Sequence, residues 1–261
     1  LAKRGYTLLV AERYEMIVSL VNERGSIRVS ELSELCQVTE ETIRRDLDRL
    51  ETAGRLRRSH GGAVSVKETM LHPEIPYAVR EITNADEKKR IALEAIKLIA
   101  PKDRILLDAS STAWYMAADV PDIALTVLTN SIKVATELSS KERIEVISTG
   151  GILAQRSLSF VGPLAERSLD AYHVDKVFLS CKGVHLDRGI SESNELQARI
   201  KERMIGMADE VILLADSSKF GVQAFTHVAD LSQVDVIITD RRMPKSTIEE
   251  LESRNIKVIT V

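Results

Sequence analysis

Apolar residues in the first quarter of the chain recur at helical spacing. Ile43, Leu47 and Leu50 fall at i, i+4 and i+7, one stripe of a helix for which Thr39 is a suitable N-cap, its hydroxyl able to accept from the free amides of the first turn. Gly54 is placed to end that helix as a C-cap glycine. Upstream, residues 12–24 put Ile17, Leu20 and Val21 on one face, and Gly25 ends the run. Between the two, Ser30 is positioned to cap a short helix with Leu32 and Leu35 inward, and Cys36, Gln37 and Val38 form the tight turn. Three helices at this spacing predict a helix-turn-helix, whose second motif helix docks in a major groove. Ile27-Arg28 and Leu56-Arg57 are expected to pair as a small sheet, which makes it a winged helix. An ordinary three-helix bundle is the competing reading, but a bundle does not require arginines concentrated where the motif would touch DNA.

The polar positions of the same stretch carry the chemistry. The faces of the third helix hold Glu40, Glu41, Thr42, Arg44, Arg45 and Arg49, and Arg55, Arg57, Arg58 and His60 lead into Gly61-Gly62. The candidate DNA contacts are Ser30, Thr39, Glu41, Thr42, Arg44, Arg45 and Arg49 on the helices and Arg57, Arg58 and His60 on the wing. Thr42, Arg44 and Arg45 are placed for bases or adjacent phosphates, and Arg57, Arg58 and His60 for the backbone. Residues 1–64 contain 11 Lys+Arg against 10 Asp+Glu, so the basic footprint is local. Ten of the eleven are arginine, the side chain suited to bidentate phosphate and guanine contacts. Such a surface predicts modest non-specific affinity for double-stranded DNA with strong salt dependence, and a dimer to reach useful affinity. A helix-turn-helix used for protein contact remains a separate possibility, which the arginine cluster disfavours.

The pattern changes further along. Residues 66–80 hold two prolines and no clear period and are expected to be a tether. From residue 84, short apolar runs at 105–107, 125–128, 144–147, 174–179, 211–214, 236–238 and 258–259 alternate with helical periods at 86–100, 112–118, 134–138, 196–207 and 248–251. This predicts an α/β fold with a mostly parallel sheet covered on both faces. The expected organisation is a winged helix-turn-helix over 9–65, a linker over 66–83 and an effector-binding α/β domain over 84–261.

Ligands of parallel sheets bind beyond the carboxyl ends of the strands, so the residues after each strand are the candidates. They are Asp108, Ser110, Ser111 and Thr112; then Thr129, Asn130 and Ser131; then Gly150 and Gly151; then Lys182 and Gly183; and finally Lys219 in Asp216-Ser217-Ser218-Lys219. Hydroxyl- and glycine-rich loops opening helices suit a phosphate. Lys182 and Lys219 can neutralise it, while Asp108 and Asn130 can bind sugar hydroxyls. Each loop alone is an ordinary cap or turn; their joint placement is the signal. Trp114 is as well explained by packing as by a pocket.

Composition bounds these readings. The 261 residues, 44% hydrophobic, suit two domains. The net charge of −3 leaves residues 65–261 at about −4, so nucleic acid should meet only the N-terminal part. Cys36 and Cys181 lack metal or disulfide spacing and are expected to be core or pocket residues, with no metal and no cofactor other than the effector. No apolar run reaches ~20 residues and no signal peptide is visible, which predicts a cytoplasmic protein without membrane contact. The opening LAKRGYTLL has no periodicity, and translation is expected to begin near Leu8 or Leu9.

These motifs together resemble the DeoR family of transcriptional regulators over essentially the whole chain. The resemblance rests on the run from Arg13 through Ile17 and Val21 to Thr39-Glu40-Glu41-Thr42-Ile43-Arg44-Arg45-Asp46-Leu47, and on the wing Arg58-Ser59-His60-Gly61-Gly62-Ala63. It continues in Glu87-Lys88-Lys89-Arg90-Ile91-Ala92, the 107–112 and 129–131 loops, Gly150-Gly151 and Asp216-Ser217-Ser218-Lys219. The family implies operator binding, as repressor of a sugar-catabolism operon, controlled by a phosphorylated sugar. Its sensor domain is similar in fold to ribose-5-phosphate isomerases, which raises the alternative of a sugar-phosphate isomerase fused to a helix-turn-helix. Those enzymes carry an aspartate-rich catalytic loop where this chain has Ser180-Cys181-Lys182-Gly183-Val184-His185. Glu192 and Glu195 are the remaining candidate bases, and the departure favours a binding pocket without catalysis. The runs DASSTAWYMA, STGG and SLSFVGPLAERSL resemble a branch associated with deoxyhexose catabolism of the rhamnose or fucose type. That likeness implies a ketose-1-phosphate effector such as rhamnulose-1-phosphate.

Overall fold

The computed structural model describes residues 10–24, 26–52, 55–59, 61–65 and 74–261. The expected translation start, the helix stops at Gly25 and Gly54, His60, and the 66–73 part of the expected linker lie outside these residues. The chain divides into two compact units, 1–73 and 74–261.

In the first unit, α1 (Val10–Arg24), α2 (Val29–Cys36) and α3 (Glu40–Thr52) are joined by β1 (Ser26–Arg28) and followed by β2 (Leu56–Ser59) and β3 (Gly62–Ser65). Ile17, Val21, Leu32, Ile43, Leu47 and Leu50 are all buried in one core, as the periodicity predicts. The Thr39 hydroxyl accepts from the Thr42 amide at 3.3 Å, which starts α3. Gln37, in the left-handed region at φ 54°, closes α2.

Three expectations are corrected here. The small sheet has the order β1-β3-β2: Ile27 pairs with Ala63 and Arg57 with Val64, so both expected strands pair with a third rather than with each other. Ser30 does not cap α2, which begins one residue earlier at Val29 behind Arg28, because β1 runs directly into the helix. Leu35 is 38% exposed, since the short helix buries only the stripe of Val29, Leu32 and Cys36. A buried ion pair joins α1 to α3, with Arg13 Nε 2.6 Å from Asp46 Oδ2 and Nη2 3.3 Å from Oδ1. Asp46 supports the Arg13 charge and holds its pKa above the usual arginine value.

The second unit opens with a short helix, α4 (Tyr77–Ile82), and α5 (Ala85–Ile96). The expectation that 66–83 is all tether is corrected from residue 74 onward: Glu74 begins this compact unit and Tyr77 is 2% exposed. Six residues with one buried ring give too little periodicity to reveal the helix in the sequence.

The sheet is built from β4 (Arg104–Leu107), β5 (Leu125–Thr129), β6 (Ile144–Ser148), β9 (Val174–Leu179), β12 (Ala208–Leu214), β14 (Val236–Thr239) and β15 (Lys257–Thr260). Its order is β15-β14-β12-β9-β4-β5-β6 and every pairing is parallel. Helices α6 (Ser111–Asp119), α7 (Ile132–Leu138), α9 (Glu195–Gly206) and α10 (Lys245–Ser253) alternate with the strands. Strands buried on both faces are near-continuous apolar runs, and these divide the core into two clusters, one around Leu106, Val177 and Leu213, the other around Ile105, Phe178 and Ile212.

Shorter pieces complete the unit: a two-stranded sheet of β7 (Ile152–Ala154) and β8 (Ser159–Val161), helix α8 (Pro163–Leu169), and a three-stranded sheet of β10 (Gly183–His185), β11 (Gly189–Glu192) and β13 (Thr226–Ala229). From β4 the chain builds β5 and β6 to one side and β9, β12, β14 and β15 to the other. The topological switch point therefore lies between β4 and β9.

Asp46→Ala would leave the buried Arg13 without its counter-charge. A loss of about 3 kcal/mol in the unfolding of the N-terminal unit is expected, measured by urea denaturation of the whole chain; an unchanged first transition would remove the pair from that role.

Candidate functional site

On α3, Glu41, Arg45 and Asp48 recur at i, i+4 and i+7 and are exposed, opposite the buried Ile43 and Leu47. Each described arginine of this surface has an acidic or phenolic partner. Arg44 pairs with Glu40 at 2.7 Å, Arg45 with Glu41 at 3.3 Å, and Arg55 with Glu15 through two bonds of 2.7 and 2.8 Å. Arg58 reaches Asp48, and its amide donates to Glu51 at 2.8 Å, which ties the wing strand to α3. Arg49 turns to the Tyr14 hydroxyl of α1 at 3.2 Å. Exposed pairs contribute about 0–1 kcal/mol, so exchanging a carboxylate for a phosphate is inexpensive and the arginines remain available. Thr42 is half-buried behind Thr39, its hydroxyl 2.9 Å from that of Thr39. Ser30 is exposed. The side chain of Arg57 lies outside the described residues.

In the second unit a cavity of about 230 Å³ opens beyond the carboxyl ends of β4, β9 and β12, at the switch point where the strand order directs ligands. The loop after β4 contributes Ser110, Ser111 and Thr112, the loop after β9 contributes Cys181 and Lys182, and the turn after β12 contributes Ser218 and Lys219. Residues 74–84 supply Glu74, Ile75, Arg80, Thr83 and Asn84, and α5 supplies Lys88. Polar side chains at the strand ends brace these loops. Asp108 Oδ1 accepts from the Ser110 amide and Oδ2 from the Ser180 amide, both at 3.0 Å. Asp240 accepts from the Ser217 amide at 2.7 Å, and Asp216 from Asn84 Nδ2 at 3.0 Å.

Beneath the loops, Lys201 of α9 lies 2.6 Å from Glu192 and 3.1 Å from Asp108 and donates to the Ser180 carbonyl. Burial pulls its pKa down, but the two carboxylates outweigh that and hold it above lysine's ordinary value.

The cations facing the cavity behave differently. Lys88, whose ammonium donates to the Arg80 carbonyl, is lowered to about 8 by burial and then by the charge of Lys219. Lys182 is lowered by the same two causes. Besides burial, the charge of Lys219 acts on both lysines, so these cations lie within electrostatic reach of one another. The Nε of Arg80 is buried and unpartnered among the described residues. The Cys181 thiol is pushed up to about 12 by burial and stays protonated. An anion with hydrogen-bond acceptors satisfies this arrangement.

The comparisons with known proteins follow the same division. Residues 13–69 match the DeoR-like helix-turn-helix domain and residues 83–241 the DeoR C terminal sensor domain. The chain belongs to the DeoR family of transcriptional regulators. Among its relatives, an uncharacterised HTH-type transcriptional regulator, YulB, of Bacillus subtilis is 58% identical over 97% of this chain and 98% of that protein. An L-fucose operon activator of Haemophilus influenzae is 39% identical over 95% and 98%. A ribose 5-phosphate isomerase A of Methanocaldococcus jannaschii overlaps loosely, at 20% identity and a TM-score of 0.40 over 53% of this chain and 55% of that one. Family membership makes the chain a DNA-binding regulator with a sensor domain, not an enzyme. Glu192 is neutralised by Lys201, and Glu195 is exposed beside Arg199 at 3.5 Å; neither is placed as a free base. No helix among the described residues is long and apolar enough to cross a membrane.

Of the residues expected to bind effector, the structure brings Ser110, Ser111, Thr112, Lys182 and Lys219 to one cavity. The others stand elsewhere. Asp108 is fully buried, and its carboxylate is committed to two amides and Lys201, so it holds loops and does not face a sugar. Thr129 donates to the Leu107 carbonyl at 2.7 Å, Asn130 donates to the Phe160 carbonyl at 3.0 Å, and Ser131 caps α7. Gly150 and Gly151 follow β6; a Cβ on Gly151, at φ +120°, would meet Ala165 and the Val161 carbonyl at 2.9 Å. A Cβ on Gly183 would lie 2.3 Å from the Val222 carbonyl, so that glycine permits a close backbone approach.

Sequence reasoning missed Arg80, Lys88 and Lys201. Arg80 sat in the presumed tether and the two lysines on helix faces, where a lysine ordinarily signals solvent. A lysine at an otherwise inward position, such as Lys201 one residue after buried Ile200, was the available signal.

Lys201→Met would strand Asp108 and Glu192 as unpaired buried charges at an expected cost of about 3–5 kcal/mol. Lys219→Ala should change stability by less than about 1 kcal/mol. Urea midpoints of the two variants provide the comparison, and equal midpoints would contradict the assignment.

Proposed function

We propose that this regulator represses a carbohydrate-catabolism operon and that a phosphorylated sugar in the switch-point cavity controls its affinity for operator DNA. The observation that carries the reading is the convergence of Arg80, Lys88, Lys182 and Lys219 on the hydroxyl loop 110–112. A phosphate would neutralise cations that otherwise repel one another. Glu74, Glu192 and Ser193 line the same cavity and supply acceptors and a donor for sugar hydroxyls. The relative named for an L-fucose operon supports a deoxyhexose-derived ketose-1-phosphate as the effector class, and its description as an activator makes activation the second reading of the sign of control.

The α3 surface would be the output. Thr42, Arg44 and Arg45 enter the major groove while the wing tracks the backbone, and two copies in a homodimer or homotetramer place recognition helices about one turn apart. The effector must bind the two DNA-binding states unequally for any switching to occur. The protein would act in the cytoplasm, where operon DNA and sugar phosphates meet.

Arg45→Ala should weaken binding to the DNA upstream of the regulator's own gene by about 1–3 kcal/mol near 0.15 M salt and relax its sequence preference. Fluorescence anisotropy at several salt concentrations reads both; unaltered affinity would exclude Arg45 from the interface. A reporter fused to that DNA, with and without the regulator, gives the sign of control.

Calorimetry with sugar phosphates tests the cavity. Lys219→Ala should weaken binding at least tenfold while leaving DNA affinity intact, on the order of 1.4 kcal/mol for one charge-assisted contact. The pH dependence has a definite sign. Lys88 in the empty cavity loses its proton near pH 8, and a bound dianion raises that pKa, so binding takes up a proton above pH 8. Affinity should therefore fall as pH rises from 8 towards 10, and Lys88→Met should flatten the profile. A wild-type affinity constant over that range would show that Lys88 does not face the anion.

A further inference from the structure

The wall of the cavity includes the segment that continues in sequence, through residues 66–73, to the DNA-binding unit. Five lining side chains, Glu74, Ile75, Arg80, Thr83 and Asn84, come from residues 74–84. Within that segment α4 is held by few ties. The Tyr77 amide donates to the Arg156 carbonyl at 2.7 Å and the Tyr115 hydroxyl to the Glu81 carbonyl at 2.9 Å. The Lys133 ammonium lies 5.5 Å above the Tyr77 ring and 4.9 Å from the Trp114 ring, with Glu81 at 3.6 Å. Val79 and Ile82 are 48% and 76% exposed, so Tyr77 is the one buried side chain of the helix. A single turn and a half with one buried ring opens at low cost.

Arg80 joins this helix to the cavity from both ends of the residue. Its carbonyl accepts from the Ser111 hydroxyl at 3.2 Å and from Lys88, two residues of the cationic, hydroxyl-rich wall. Its guanidinium lines the cavity with Nε buried and unpartnered among the described residues, while Nη2 makes a 3.4 Å contact with the Ser157 carbonyl and Cζ lies 5.4 Å from the Tyr77 ring centroid. Docking α4 while the cavity is empty therefore buries a donor without an acceptor and brings a guanidinium up to Lys88, Lys182 and Lys219. An anion would remove both penalties, and would do so only with α4 in place.

We propose that α4 is a latch whose docking on the sensor unit is coupled through Arg80 to anion occupancy of the cavity, so that the effector acts on the segment leading to the DNA-binding unit. This rests on the cavity being an anion site. Arg80 is the positioning residue, Tyr77 anchors the latch, and Lys133 and Tyr115 belong to its seat.

The test uses the full chain and chymotrypsin, which can cut after Tyr77 only when α4 leaves its seat. Cleavage at that bond, followed by mass spectrometry, is measured against inorganic phosphate at constant ionic strength, with binding measured in parallel by calorimetry. Because an anion that binds only the docked form protects by 1 + [L]/Kd, cleavage should slow about tenfold at ten times Kd. Lys133→Met lies outside the cavity and should speed cleavage severalfold with the phosphate Kd within about twofold, since docked protein still predominates. Arg80→Gln should cut at a rate that phosphate no longer changes, even at concentrations that saturate it. Phosphate binding with wild-type cleavage unaltered would overturn the latch and leave the cavity reading standing. A protected Arg80→Gln would remove Arg80 from the coupling. Absence of any binding of phosphate or sugar phosphates would overturn both readings.

Discussion

The buried charge of Lys201 is the constraint on which the sensor unit depends. An ammonium taken out of water costs several kcal/mol unless it is paired and hydrogen-bonded, and here Asp108, Glu192 and the Ser180 carbonyl meet that requirement together. Each partner is placed by a different element: Asp108 after β4, Ser180 after β9, Glu192 at the end of β11. Asp108 in turn takes the amides of Ser110 and Ser180. One lysine thus fixes the spacing of the two loops that flank the switch point, and both loops line the cavity. The cost of that arrangement is rigidity, which suits the floor of a binding site.

The wall opposite is built on another principle. Arg80, Lys88, Lys182 and Lys219 are not matched one to one with carboxylates, and Lys88 and Lys182 are depressed by burial and then by the charge of Lys219. The floor is satisfied without a ligand and the wall is not. On the proposed reading, a site with this division would be stable when empty and gain free energy when an anion arrives. The DNA-binding unit uses charge in a third way. Its arginines are paired at the surface, where screening by water makes the pairs weak. That keeps a nearly neutral domain free of strong non-specific attraction while leaving the cations free to exchange partners.

Much of the fold was legible along the chain. The stripes of α1 and α3 and the apolar runs of all seven parallel strands follow from period alone, because burial of one face or of both imposes the period. Local chemistry was legible too: Thr39, Ser110 and Ser131 cap the helices they precede. Apart from the Ser30 cap and the inward Leu35 of α2, what failed were inferences that needed a partner distant in sequence. Ile27 and Leu56 were expected to pair with each other and each found β3; α4 was hidden in a presumed tether because its stability comes from Tyr115, Lys133 and Arg156.

The residues after the strands show the same division. The sequence by itself determined that hydroxyls, glycines and lysines follow the strand ends and that a helix-turn-helix precedes them, since these depend on spacing within one segment. Only the tertiary structure decided which of those loops share a cavity. Strand order sends β5 and β6 to one side of β4 and β9 and β12 to the other, so Ser110, Lys182 and Lys219 converge while Thr129, Asn130 and Gly150 serve their own loops. Strand order is set by how helices cover both faces of the whole sheet, and that is a property of the packed chain rather than of any segment of it.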